Sequence, residues 1–284
     1  MDCIADVKAV LGEGPAWVAR EQALYWVDIP ERRVFRWAEG EGARTIDVAT
    51  NICSLLPRRN GGFIGGGYDG FLAIGQDFAI SLIGDPEPEL ETNRFNDGKV
   101  DRQGRLWAGT MDRTERAASG ALYRLDPSLG WSRIDSGYKV TNGPAFSLDG
   151  RTMYHTDSAR QTVYAFDLAD DGAATNRRVF AQFGEGDGYP DGMTVDSDDC
   201  LWIAFWDGWC VRRLSPRGER LAQLAVPAQR PTSCAFGGPD LDRLFITTAS
   251  RDLTPAELTD QPCAGGLFMT VPGVQGVAES LFAG

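Results

Sequence analysis

The sequence predicts an all-β fold, a six-bladed β-propeller, and three observations lead there. One template recurs: a turn with an acid or amide before glycine, a short apolar run, a D-x-x-G-R-like turn, then a run rich in aromatic and β-branched residues. The copies repeat at about 40–50 residues, the period of propeller blades built from short strands. Long helical periodicity is absent, and only residues 254–258 read as a single helical turn.

In chain order, the first copy opens at Glu13-Gly14-Pro15 and continues through Leu24-Tyr25-Trp26-Val27-Asp28 to Val34-Phe35-Arg36-Trp37. A weaker copy opens near Asn51-Ile52-Cys53-Ser54. The next begins at Asn96-Asp97-Gly98 and runs through Leu106-Trp107-Ala108 to Leu122-Tyr123-Arg124. The fourth begins at Asn142-Gly143-Pro144, turns at Asp149-Gly150-Arg151 and continues as Met153-Tyr154-His155-Thr156-Asp157. The fifth begins at Asp191-Gly192-Met193 and leads to Leu201-Trp202-Ile203-Ala204, and a weaker sixth opens at Pro231-Thr232-Ser233-Cys234. The last copy is short of one outer strand. Residues 3–10 are expected to supply it, protecting both edges of that blade and making residues 1–284 one domain.

A length of 284 residues suits one closed all-β unit with a large core. Lys plus Arg number 28 against 40 Asp plus Glu, a formal net charge of −12. Such a surface repels phosphate backbones, so nucleic acid is not an expected partner. The first residues have no basic n-region or apolar h-region, and no stretch nears the roughly 20 apolar residues that span a bilayer. The expectation is a cytoplasmic protein with no membrane partner, a monomer or weak oligomer. Six cysteines are scattered without a CxxC pair and are expected to be free thiols; Cys200 and Cys210 would be the pair if a disulfide formed.

In a propeller the first strand of each blade runs along the central channel, so residues entering those strands converge on one mouth. That phase holds Glu13, Asn96 or Asp97, Asn142 and Asp191, with Ser54 and Ser233 in the weaker copies. Carboxylate and amide oxygens suit hard or borderline divalent ions: calcium, magnesium and manganese, with tolerance for Fe(II) and zinc. Asn-Gly and Asp-Gly are also ordinary turn formers. The shared phase, and a glutamate where a turn would prefer Asn or Asp, favour the metal reading. Asp28 and Asp157, at strand ends, read as turn-stabilising groups. His155, the only histidine, lies within a strand, and no G-x-S-x-G elbow offers it a nucleophile, so the expectation is that it packs structurally or supports a site residue from behind. Trp206 and Trp209 read as outer-blade packing residues, with walls of a sugar pocket as the alternative. The glycine-rich run 61–70 lacks the Lys-Ser/Thr of a phosphate loop.

The stretches "LGEGPAW" (11–17), "NRFNDGKVDRQGRLWAGTM" (93–111), "TNGPAFSLDGRTMYHTDS" (141–158), "YPDGMTVDSDDCLWIAF" (189–205) and "FGGPDLDRLFITTA" (236–249) carry a resemblance over nearly the whole chain. The sequence resembles the regucalcin/gluconolactonase family of sugar lactonases. The resemblance implies a propeller with one catalytic divalent ion, held by Glu13, Asn142 and Asp191. It implies that Asn96 meets substrate beside the metal, that Arg94 binds substrate hydroxyls, and that Asp97 shapes the same wall. The implied substrate is an aldonolactone such as glucono-, xylono- or arabinonolactone, opened to the free acid, with Asp191 accepting a proton from the attacking water. The loop Met111-Asp112-Arg113-Thr114-Glu115-Arg116 departs from the family pattern and leaves open whether Asp112, Arg113 or Glu115 faces substrate. Two rival readings are a propeller phosphotriesterase, which would favour a greasy pocket, and a calcium-binding or interaction propeller with no turnover.

Overall fold

The computed structural model describes residues 1–284. The chain forms six four-stranded antiparallel sheets and falls into two compact units, each containing three of them. One unit comprises Met1–Asp47 and Phe183–Ala278; the other comprises Val48–Gln182 and Glu279–Gly284.

In the first unit, one sheet runs Gly12–Val18, Ala23–Asp28, Arg33–Ala38, Gly42–Asp47. A second runs Tyr189–Val195, Leu201–Trp206, Cys210–Leu214, Arg220–Ala225. The third joins Pro231–Gly237, Arg243–Thr248 and Leu267–Thr270 to the N-terminal strand Asp2–Ala5, which pairs Cys3 with Phe268 and Ala5 with Leu267. The strand is shorter than the sequence suggests. A register shift falls between Cys3 and Ala5, and Lys8 takes a positive φ of 54°, so residues 6–10 leave the ladder.

In the second unit the sheets begin at Leu56–Pro57, Asn93–Val100 and Thr141–Phe146. Here and in the first unit the early strands of each sheet are largely buried, and outer strands such as Ala174–Gln182 and Trp131–Tyr138 are largely exposed. The first strands are buried yet carry polar residues, as in Asn93–Val100 and Thr141–Phe146, so their buried donors and acceptors must be paired within the protein.

Two aspartate devices recur from blade to blade. At the end of a second strand, the fully buried Asp28 accepts the backbone N–H groups of Val10 and Leu11, both at 3.0 Å. Asp157 does the same for Lys139 at 3.1 Å and Val140 at 3.3 Å. At the turn after a first strand, Asp101 accepts Arg105 N and Trp107 Nε1, and Asp196 accepts Cys200 N and Trp202 Nε1. Each carboxylate fixes its turn to the backbone and satisfies buried donors that would otherwise cost stability.

The helical turn is a helix, Pro255–Asp260, started by a capping box between Thr254 and Glu257. No helix is long and apolar enough to cross a membrane. All six cysteines are free thiols. The sequence carries no signal for the last residues of the chain. In the second unit Phe282 is fully buried among Leu56, Phe71, Phe95 and Tyr123, its N–H donates to Pro57 O, and Glu279 pairs with Lys99 at 2.9 Å.

Candidate functional site

The turns singled out by sequence are β-bulges in the first strand of their sheets. Two residues oppose one across the register shifts Glu13/Ala16, Phe95/Gly98, Asn142/Ala145 and Pro190/Met193. A shift also falls between Pro231 and Ser233, and the N–H groups of Cys53 and Ser54 both donate to Gly66 O. A bulge breaks the ladder and re-aims a side chain, which is why such a position suits a binding group. Glu13 and Asn142 are the last paired residues before their bulges; Asp191 is the first residue inside its own.

The glycines make the bulges possible for different reasons. Gly143 takes a φ of 76°, left-handed backbone that a Cβ would strain. A Cβ on Gly192 would instead lie 2.2 Å from Ser233 Oγ, so there the glycine permits close approach of the next first strand.

In the first unit, Glu13 and Asp191 lie on strands that flank Pro231–Gly237 on either side, and both are about 5–6% exposed. Glu13 Oε2 accepts the N–H of Gly14 at 3.1 Å. Two carboxylates are thus held buried at bulges, and Ser233 falls at the same phase on the strand that separates theirs.

In the second unit the structure brings Arg94, Asn96, Asp97 and Asn142 together. Arg94 Nη1 donates to Asn96 Oδ1 at 2.6 Å and to Phe95 O at 2.8 Å. Asn96 Nδ2 donates to Asn142 Oδ1 at 2.9 Å and to Thr141 O at 2.7 Å. Asn142 Nδ2 donates to Ser158 Oγ at 2.8 Å. Asp97 turns away from this chain of amides: Oδ1 accepts Gly98 N at 2.7 Å and Oδ2 accepts Gly143 N at 2.9 Å. Burial pushes the Asp97 carboxyl up to about 6 against the opposing pull of Lys99.

Around Arg94 the wall is aromatic and polar. The Arg94 and Arg113 guanidinium carbons each lie 5.5 Å from the Tyr68 ring centre. Arg113 also donates to the carbonyls of Glu91 and Thr92. Asp112 accepts Thr114 Oγ1 at 2.6 Å and three backbone N–H groups of its own loop, which hold its carboxyl well below the usual carboxylate range. Of the three loop residues left open by the sequence, Asp112 is thereby committed to the loop, and Arg113 lies at the Tyr68 face. Glu87, buried nearby, accepts Asn93 Nδ2, Thr110 Oγ1 and Tyr123 OH.

Sequence reasoning misses Ser158, Tyr68 and Glu87. Ser158 has a weak signal, since it directly follows the strand-end Asp157 in the "HTDS" stretch. Its contact with Asn142 depends on the register that sets Asn142 opposite Thr156. His155 is fully buried, with Tyr138 edge-on at 4.8 Å. Trp206 lies under Arg230 at 4.9 Å, whereas Trp209 is exposed on its turn and does not pack as the sequence suggests.

The donor set of Glu13, Asn142 and Asp191 is all oxygen, two carboxylates and one amide, each buried at a bulge. Oxygen donors of this kind are those that hard or borderline divalent cations take. The set does not resemble a thiolate or imidazole site.

Residues 11–250 match the family described as SMP-30/Gluconolactonase/LRE-like region. The chain is 38% identical to a 6-deoxy-6-sulfogluconolactonase of Pseudomonas putida over 292 aligned positions, covering 100% of this chain and 99% of that one. Among solved structures it is similar to regucalcin, a calcium-binding protein from Agrobacterium tumefaciens, with a TM-score of 0.94, 26% identity and coverage of 99% and 96%. It is also similar to a gluconolactonase from Xanthomonas campestris, with a TM-score of 0.78, 25% identity and coverage of 94% and 87%. The fold class is the six-bladed β-propeller expected from the repeat.

Proposed function

Because the chain belongs to the SMP-30/gluconolactonase/LRE-like family, we propose that it is a divalent-metal-dependent lactonase opening a sugar-acid lactone to the free aldonic acid. In this reading residues 1–284 act as one domain, and the substrate is an aldonolactone such as glucono-, xylono- or arabinonolactone. Glu13, Asn142 and Asp191 hold one cation, which is Ca, Fe(II), Zn, Mn or Mg. The observation that carries the reading is the recurrence of one bulge that presents a buried oxygen donor in each of these three first strands.

When bound, the cation supplies Lewis-acid polarisation of the lactone carbonyl. The remaining work falls to the side chains. The Asp191 carboxylate accepts a proton from the attacking water. Asn96 and Arg94 bind the sugar hydroxyls by directed hydrogen bonds, the means by which a neutral polyol is recognised. Arg94 spends only Nη1 on the protein acceptors given above, which leaves donors for substrate. Asp97 serves the same wall by holding the Gly98 and Gly143 amides. A wall of arginines, amides and a tyrosine favours a polyol over the greasy substrate that a phosphotriesterase would take.

The experiment is steady-state hydrolysis of a lactone panel, including a 6-deoxy-6-sulfo analogue, before and after chelation, with each metal added back. Turnover should vanish on chelation and return with one of the five ions. Full turnover after complete metal removal would sink the metal-dependent reading, and no turnover of any lactone with any of the ions would sink the lactonase reading.

A further inference from the structure

We propose that Ser158 and Arg94 are positioning residues that fix which end of the Asn142 amide is presented to the cation. The inference rests on the reading of Asn142 as a metal ligand, and it adds two residues that act through it.

An asparagine side chain has nearly the same shape with its oxygen and nitrogen exchanged, so only its hydrogen-bond partners decide the orientation. For a ligand the difference is absolute: Oδ1 offers lone pairs to a cation, whereas Nδ2 offers hydrogens and repels it. In this chain the choice is made at a distance. A guanidinium can only donate, so the 2.6 Å contact from Arg94 Nη1 sets the oxygen of Asn96 toward Arg94. The Asn96 NH2 then faces the other way, and the Thr141 carbonyl, an obligate acceptor at 2.7 Å, holds it there. Its second hydrogen reaches Asn142 at 2.9 Å, and the atom receiving it must be Oδ1. At the far end the Asn142 NH2 donates to Ser158 Oγ at 2.8 Å.

Polarity therefore runs one way through four side chains, Arg94 to Asn96 to Asn142 to Ser158. All four are less than 9% exposed, so little water competes for their partners. An amide oxygen has two lone pairs, and Asn96 uses one of them; the other remains for a cation. Ser158 closes the relay by giving the NH2 a partner on the side away from Asn96. Without it, that nitrogen gains nothing by staying put. Ser158 lies in the short turn Ser158–Arg160 that follows the strand pairing with the bulged one, so the bulge and its support belong to the same sheet.

The test is Mn2+ affinity of the full chain after chelation, measured calorimetrically, in a cycle of Ser158→Ala and Asn142→Asp. A carboxylate presents oxygen whichever way it turns, so the relay has nothing to orient in the Asn142→Asp background. We expect Ser158→Ala to weaken Mn2+ binding on the order of 10-fold in the natural chain. In the Asn142→Asp background the same change should cost less than about 2-fold. Arg94→Met should weaken binding in the same background-dependent way. Equal losses in both backgrounds, or none in either while the natural chain binds Mn2+ through Asn142, would overturn the relay and leave the metal site standing. Failure of the natural chain to bind Mn2+ or any of the other four ions, or binding untouched by Asn142→Ala, would remove the ligand assignment and the relay together.

Discussion

Asp97 accepts the backbone N–H of Gly143 at 2.9 Å, tying the bulge of one first strand to the bulge of the next. Its other oxygen accepts Gly98 N, so both lone-pair faces are spent on main chain. Asp97→Ala leaves two buried N–H groups without acceptors, at about 1–3 kcal/mol each. Relief of the buried carboxylate, the cause of its raised pKa, offsets part of this. A net loss of about 2 kcal/mol in urea unfolding is the expected outcome. If Asp97 served substrate alone, stability would be unchanged and only the lactone KM would move.

Asp191→Asn separates holding the cation from moving the proton. The amide keeps an oxygen for the ion but cannot take a proton from water. Lactone kcat should fall about 10²–10⁴-fold, the usual contribution of a positioned base, while KM changes little. A variant with kcat within about 3-fold of the natural chain would assign the proton transfer elsewhere.

What the sequence reveals and what it hides follow from how far each feature depends on register. The bulges at Glu13, Asn142 and Asp191 are legible because a bulge needs a glycine beside an oxygen-bearing residue, and that pair is written locally. The strand-end pair Asp28 and Asp157 is legible for the same reason: the carboxylate sits at a fixed place in the repeat. Ser158 is hidden because its partner is chosen by strand pairing, not by spacing. Asp97 can be placed beside the wall, but its commitment to Gly143 depends on two strands packing side by side. The N-terminal strand is found but overextended, since nothing in residues 6–10 announces the positive φ of Lys8.

The C-terminal residues add a second case of hidden structure. Phe282 is fully buried against Leu56, Phe71 and Phe95, although more than 180 residues separate it from each. Phe282→Ala should cost about 3–5 kcal/mol, the range for an aromatic removed from a packed core. Differential unfolding in urea would measure it, with Leu281→Ala, at a more exposed neighbour, as the control. A cost below about 1 kcal/mol would mean that the tail contributes little to the core it enters.

The sole histidine gives a prediction with a definite sign. His155 is fully buried, neither ring nitrogen has a hydrogen-bond partner, and Tyr164 pairs with it across the ladder. Burial, with the charge of Arg177 adding to it, lowers the pKa from 6.5 to about 3. Arg177 itself lies over the rings of Tyr138 and Tyr164, at 4.8 and 4.0 Å, so the imidazole meets aromatic faces and a cation rather than a carboxylate. The folded protein holds His155 neutral, whereas the unfolded chain protonates it near 6.5. Between those two values the unfolded state binds the extra proton, so stability falls as pH falls from 6.5 toward 3 and is insensitive to His155 above 6.5. The slope approaches about 1.4 kcal/mol per pH unit. His155→Phe keeps a ring against Tyr138 and removes the titration. Urea unfolding at pH 7.5 and 5.0 should show the natural chain losing about 2 kcal/mol more than the variant over that interval. Identical acid sensitivity in both proteins would mean that the imidazole takes up its proton without unfolding, through water entering between Tyr138 and Tyr164.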